Sequence, residues 1–221
     1  MLDWLLDLYR DVVDRIVVVV HPSWADQIRA YGGSTGARIE YEVQQAPTGM
    51  LDAILLAREI VAASDATRIL ITWCDQVAIH PQTVARLTGL CDTHPSAALV
   101  MPTAQRSDPY IHLEHDGEGR VVRVLHRREG DHLPPVGESD MGLFGLSRDA
   151  FLNALPEFAA TAAPGKATGE RNFLPFIPWL AAKREVLTFP CVDATEAVGV
   201  NTPAELQLVE RYLAARHAAD A

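Results

Sequence analysis

At 221 residues and 48% hydrophobic content, the chain is long enough to bury a substantial core, and its length suits one α/β domain spanning residues 1–221. A formal charge of −10 at pH 7 excludes the concentrated basic face by which a polynucleotide-binding surface displaces counterions. The odd set Cys74, Cys91 and Cys191 lacks zinc-ligand spacing, and the most apolar run, residues 16–20, is too short to span a bilayer, so a soluble cytoplasmic protein that neither binds nucleic acid nor enters a membrane is expected.

Leu2, Leu5, Leu6, Tyr9, Val12 and Val13 recur at helical spacing, and the β-branched run 16–20 then reads as a buried strand. A second helix over about 23–31 leads through Gly32-Gly33-Ser34-Thr35-Gly36 into a short strand near 38–43. Residues 49–63 read as helix, and 68–73 as a strand ending at Cys74-Asp75-Gln76. Pro81, at a first helical position, opens the next helix, and 97–102 is the following strand. From 110 to 126 the pattern changes to a β-hairpin turning at Asp116-Gly117-Glu118-Gly119, followed by a polar, proline-bearing surface loop over 129–137. A strand at 142–146, a helix from Arg148, a loop at 165–169, a helix over 173–183 and a strand at 186–189 follow. Thr202-Pro203-Ala204-Glu205 supplies an N-cap and first turn for a closing helix to about His217.

Alternating strands and helices imply a three-layer, Rossmann-like, mostly parallel sheet, with its ligand site where strand ends meet loops. Asp75 follows the apolar run 69–73, so its carboxylate belongs at the carboxyl edge of the sheet. There it is either a hard oxygen ligand for Mg2+ or a plain cap for the turn before Pro81. Val43-Gln44-Gln45-Ala46-Pro47-Thr48-Gly49 places two amides and a small-residue turn before a helix, fit to read a base edge or simply to turn and cap. Residues 32–36 suggest a phosphate loop only superficially, because they follow a helix and precede a strand, the reverse of the required order. They read as a flexible turn. Asn201 can offer an amide oxygen to a metal or belong to a helix entrance. Arg127-Arg128 can neutralise phosphate or sit in a solvated turn, and Cys74, without a paired histidine, reads as a structural thiol. Lys166 and Lys183 are the only lysines, so phosphates must be met mainly by arginines, backbone amides or a metal.

In this order the segments resemble the sugar-1-phosphate nucleotidyltransferases, in particular the uridylyltransferase domain acting on N-acetylglucosamine 1-phosphate and its MobA-like relatives. The base-contacting Gln-x-x-x-Thr-Gly of that family is matched from Gln44 to Thr48-Gly49, and with one residue fewer if Gln45 is used. Its strand-Gly-Asp metal segment is similar to Trp73-Cys74-Asp75, and its Glu-x-Asn-x-Gly sugar segment to Glu138-Ser139-Asp140-Met141-Gly142. Gly169-Glu170 matches a Gly-Glu pair, and Gly199-Val200-Asn201 matches the Gly-Val-Asn whose asparagine is the second metal ligand. The family's Tyr-Gly-Arg-Ile is here Tyr110-Ile111-His112-Leu113, and its sugar-contacting glutamate after the hairpin appears as His126.

The resemblance implies Mg2+ held by Asp75 and Asn201, a nucleoside triphosphate met by Gln44, Gln45, Thr48, Gly49 and Asp75, and a sugar 1-phosphate met by Tyr110, His126, Asp140, Gly142 and Glu170. The reaction it implies is in-line attack by the sugar phosphate on the α-phosphorus, releasing pyrophosphate. The family's first strand and its Gly-x-Gly-x-Arg loop have no counterpart here, so the chain as given is expected to be a poor catalyst with a gap in its sheet. Two competing readings are a non-catalytic nucleotide-sugar-binding remnant, and a glycosyltransferase, for which two spaced aspartates would be expected where Asp75-Gln76-Val77 stands. Base, sugar and homo-oligomerisation are left open.

Overall fold

A computed structural model describes residues 1–31 and 38–219; the turn read at 32–36 lies outside them. The chain begins with helix α1 (Leu2–Tyr9), strand β1 (Arg15–Val20), helix α2 (Ala25–Tyr31) and strand β2 (Arg38–Val43). β1 and β2 pair in parallel from Arg15↔Arg38 to Val20↔Val43, and Val18, Val20 and Ala25 form a small core of their own with Ile39 and Tyr41.

The span expected as one helix over 49–63 is two, α3 (Met50–Leu55) and α4 (Arg58–Ala62). Between them Leu56 N bonds Ala53 O and Ala57 N bonds Ile54 O, three-residue spacings that tighten the ladder and interrupt it. Strand β3 (Arg68–Thr72), helix α5 (Pro81–Thr93), strand β4 (Leu99–Ser107) and the hairpin β5 (Ile111–His115) and β6 (Val121–His126) follow. The polar stretch after the hairpin stays irregular from Gly130 to Pro135, and its last two residues join Glu138, Ser139 and Asp140 in β7 (Val136–Asp140), which pairs antiparallel with the second half of β4. After a break at Met141-Gly142, β8 (Leu143–Ser147) pairs with both β3 and the start of β4. A π-turn at Ala150–Ala154 leads to α6 (Leu155–Ala159). α7 (Phe176–Ala181) is shorter than the helix expected over 173–183: Pro175 stands at its N-cap, and a proline disfavours helical backbone in the residue before it, here Leu174. β9 (Val186–Pro190) pairs in parallel with β4, and α8 (Pro203–Ala219) closes the chain.

The larger sheet therefore runs β3, then the broken strand β7/β8, then β4, then β9, with β7/β8 running against its neighbours. It is clothed on two sides. One core gathers Leu51, Leu99, Phe144, Phe151, Phe173 and Phe176 with α3, α6 and α7; the other gathers Leu5, Tyr9, Ile79, Leu87, Val100 and Val209 with α1, α5 and α8. Burying helices on both faces of such a sheet yields three layers. Two arginines seal helix ends beneath it. Arg68 donates to the carbonyls of Cys91 in the last turn of α5 and of His94, Pro95 and Ala97 after it, and Arg148 to those of Val61 and Ala62 at the end of α4 and of Ala66 beyond it.

Candidate active site

A cavity of about 1490 Å³ runs through the molecule, and Asp75, Asp140 and Asn201 meet at one part of its wall. Asp75 is held there by a close fit of backbone and glycines. After β3, Trp73 N donates to Gly142 O at 3.0 Å and Gln76 N to Trp73 O at 3.2 Å, which turns Cys74 and Asp75 out at the strand's carboxyl end. Gly142 has φ +64, and a Cβ there would meet the Trp73 indole at 2.1 Å, so the approach of this turn to the β7/β8 break needs glycine.

From the other side, Val200 N donates to Asp75 O at 3.0 Å, and a Cβ at Gly199 would stand 2.7 Å from Asp75 Oδ2. That close approach lets Asn201 Nδ2 reach Asp75 Oδ2 at 3.5 Å, although 126 positions separate the two residues. Capping is done by others. His80 Nδ1 accepts from Gln82 N at the start of α5, and at α8 Thr202 Oγ1 accepts from Glu205 N while Glu205 Oε2 accepts from Thr202 N. Asp75 is therefore no cap for the turn before Pro81. The entrance to α8 is closed by Thr202 and Glu205, with the Asn201 amide group turned to Asp75.

Charge is concentrated here. Burial raises the Asp75 carboxyl above its ordinary range, against its own backbone N–H and Asn201, which lower it, and with Glu205, which raises it. Asp140, half-buried and accepting from Gly142 N at 2.9 Å, is pushed up to about 6, first by desolvation, with the negative charge of Asp75 adding to the effect. The Cys74 thiol is raised by desolvation and by Asp75, which disfavours the thiolate a nucleophile would need.

Mg2+ fits this donor set. One carboxylate and one amide, whose oxygen and nitrogen exchange places by a flip of the group, are hard ligands, and Mg2+ takes its remaining positions from phosphates and water. Among the described residues no group of three or more His, Cys, Asp or Glu is arranged to hold a metal, so the protein alone offers only part of a coordination sphere.

Tyr110, His126 and Glu170 line the same cavity. His126 stacks edge-on against Tyr110 at 5.1 Å between ring centroids, and its Nδ1 lies 3.1 Å from Asn172 Nδ2. Desolvation lowers the His126 pKa, which favours neutral imidazole; with the Asn172 amide donating to Nδ1, the proton sits on Nε2.

Gln44, Gln45, Thr48, Gly49 and Gly142 are not among the cavity's lining residues. Gln44 Nε2 donates to Gly49 O at 3.0 Å, stiffening its own turn, and Gln45 is exposed. Gly49, at φ +117, packs so closely on the backbone of Arg171 that a Cβ would lie 2.4 Å from its carbonyl oxygen. Arg171 N to Thr48 O and Leu51 N to Arg171 O tie this turn to the segment carrying Glu170. Of the arginine pair, Arg127 binds Asp108, and Arg128 lines the cavity, as does Arg106. Sequence reasoning missed Arg106 and Asn172, which stand in no recognisable spacing. The cavity contains neither lysine; Lys183 lies over the Trp179 ring.

The model of the MobA-like NTP transferase domain matches residues 1–161. The chain belongs to that family. It is 28% identical over 226 residues to the bifunctional protein GlmU of Sorangium cellulosum, covering 98% of this chain and 46% of that protein. GlmU of Pelotomaculum thermopropionicum is 25% identical over 221 residues, with the same shares covered. The chain thus spans about half the length of the curated relatives it matches. Among solved structures, HddC from Yersinia pseudotuberculosis superposes with a TM-score of 0.61 over 96% of this chain and 83% of that one, at 13% identity, a likeness of fold. The architecture is therefore α/β and Rossmann-like, of the nucleotide-diphospho-sugar transferase kind. No helix among the described residues is long and apolar enough to cross a membrane.

Proposed function

We propose that the protein is a Mg2+-dependent nucleotidyltransferase that joins a nucleoside triphosphate to a sugar 1-phosphate. The observation that carries this reading is the meeting of Asp75 and Asn201 at the carboxyl end of β3, on the wall of a cavity that Tyr110, His126, Arg128 and Glu170 also line. Bound between Asp75 and Asn201, Mg2+ would neutralise the two anions and let them approach. The sugar phosphate oxygen forms a new bond to the α-phosphorus, the bond from that phosphorus to the bridging oxygen breaks, and pyrophosphate leaves with the electron pair.

The chain's own residues orient the partners, and no protein nucleophile is needed. Arg106 and Arg128 offer positive charge to phosphate, while His126 Nε2–H, Tyr110 and Glu170 present donors and acceptors to sugar hydroxyls. Gln44, Gln45, Thr48 and Gly49 would meet the base beyond the cavity proper. Asp140 and the Gly142 backbone complete the sugar side.

The test is pyrophosphate release across a matrix of the common nucleoside triphosphates and sugar 1-phosphates, with and without Mg2+. Release from one pair, dependent on Mg2+, is expected. The lack of a lysine in the cavity lining favours a second reading, nucleotide-sugar binding without turnover. That reading gains if no pair releases pyrophosphate while a nucleotide sugar binds saturably.

A further inference from the structure

The segment 170–174 divides its side chains between cavity and core. Glu170 and Asn172 line the cavity, Arg171 between them turns to Asp52 and Ala159 O, and Phe173 and Leu174 are buried with Phe144 and Phe176. The buried pair fixes the backbone on which Asn172 stands. Its amide is then oriented by its own turn, because Leu174 N donates to Asn172 Oδ1 at 2.9 Å. Turning the amide over would set Nδ2 against that N–H, donor against donor, so the orientation holds without reference to any other group.

With Oδ1 committed to Leu174, Nδ2 is the atom 3.1 Å from His126 Nδ1. An amide nitrogen only donates, so Nδ1 accepts, and a second ring proton there would stand N–H against N–H. The charged groups around the ring pull in both directions. Burial, the largest influence, and Arg128 oppose a positive charge on it, while Glu129, Asp131 and Glu170 favour one. Asp131 accepts from the His126 backbone N–H at 2.8 Å, Tyr110 stands edge-on at 5.1 Å, and α7, which packs on β6, carries no titratable residue. Nε2 has no hydrogen-bond partner among the described residues, and His126 lines the cavity, so Nε2 is the ring atom left for an occupant.

We propose that Asn172 is a positioning residue that holds the His126 proton on Nε2, making this corner of the cavity a hydrogen-bond donor that selects an acceptor oxygen on its occupant. The substrate class rests on the transferase reading above: the oxygen belongs to the sugar of a sugar 1-phosphate. A carboxylate at position 126 could only accept, and would repel any group that cannot donate. Nε2–H welcomes such groups, so an acyl carbonyl, an ether or a carboxylate oxygen of the sugar is admitted here as readily as a hydroxyl. The selection depends on the place of one proton, since the same ring protonated on Nδ1 alone would accept at Nε2 instead of donating.

Asn172→Asp inverts this arrangement with little change of shape. Oδ1 still accepts from Leu174 N, while Oδ2 faces Nδ1 as an acceptor and draws a proton onto it. Nitrogen-15 NMR of the unliganded protein reads the ring directly. At pH 7.5 the native His126 should be protonated on Nε2 and bare at Nδ1. In Asn172→Asp, Nδ1 should carry a proton, and the ring should titrate at least about one pH unit higher. Binding is measured with glucose 1-phosphate and mannose 1-phosphate. Relative to the native chain at each pH, the affinity lost in Asn172→Asp should grow at least about fivefold from pH 6 to pH 9, as the ring gives up its Nε2 proton and keeps the one on Nδ1. A residue that served only the fold would give a loss independent of pH.

A native His126 protonated on Nδ1, or on both nitrogens at pH 7.5, would overturn the inference whether or not the variant folds. So would an unchanged tautomer in Asn172→Asp, or an affinity loss that does not vary with pH. If neither sugar phosphate binds the native chain while its proton sits on Nε2, the result counts against the sugar 1-phosphate reading and leaves the role of Asn172 standing.

Discussion

In the sheet from β3 to β9, neighbouring strands are paired, and Leu99, Phe144 and Leu146 are fully buried between two helical layers. The β1–β2 pair is as rich in Val and Ile, yet among the described residues β1 is bonded along one edge only, and Ile16, Val17 and Val19 remain half-buried. Apolar composition alone does not close a sheet, because burial of a strand also requires partners for the N–H and C=O groups on both of its edges. Asp75 sits just beyond the end of β3, which among the described residues pairs with β8 alone.

The largest expected effect breaks the comparison directly. Phe144→Ala, in the closed region, should cost about 3–5 kcal/mol in urea denaturation, and Val17→Ala, in the open one, about 1 kcal/mol or less. Equal costs would mean that the β1 side is packed as tightly as the rest.

Asp140 sharpens the comparison at the join. Its folded pKa of about 6 exceeds the ordinary 3.8, so its contribution to stability is full below about pH 4 and is lost as pH rises through 6. Without divalent cations, Asp140→Asn should therefore match the native protein at pH 4 and exceed its stability at pH 7.5 by up to about 3 kcal/mol. A difference independent of pH would show that the carboxyl is not desolvated.

Gly199→Ala should leave stability within about 1 kcal/mol, because a displaced Asp75 can swing into the cavity, while nucleotide binding falls sharply. Calorimetric titration of nucleoside triphosphate with Mg2+ reads the binding; unchanged affinity would mean that the Asp75 position is not critical.

Much of this organisation was legible in the sequence, for physical reasons that differ by segment. Residues 16–20 are β-branched throughout, and they form β1. Asp75 comes three residues after the end of β3 (Arg68–Thr72), just past the apolar run 69–73, which fixes its position at the sheet edge. The start of β7 was not legible, since Val136 and Gly137 end the polar, proline-bearing stretch that reads as loop; they are drawn into a strand because β4 pairs with it and Ser139 Oγ bonds Ile111 O of the hairpin. The break between α3 and α4 carries no Gly or Pro to announce it. Arg106 and Asn172 reach the cavity only through long-range packing. The Gln44–Gly49 resemblance identifies a turn in which the Gln44 side chain bonds within the turn itself, to Thr48 and Gly49, a feature that local sequence cannot convey.

The central claim is that Asp75 and Asn201 form the Mg2+-nucleotide end of the site. It is tested most directly by calorimetric binding of a nucleoside triphosphate, with and without Mg2+, to the native chain and to Asp75→Asn. Replacing a carboxylate that burial already disfavours should leave Tm unchanged or slightly raised, with a stability effect under about 1 kcal/mol. The account predicts that Mg2+ strengthens binding to the native chain and that Asp75→Asn weakens the Mg2+-dependent part at least about tenfold, a loss of about 1.4 kcal/mol. Equal Mg2+-dependent affinity in both proteins would contradict it.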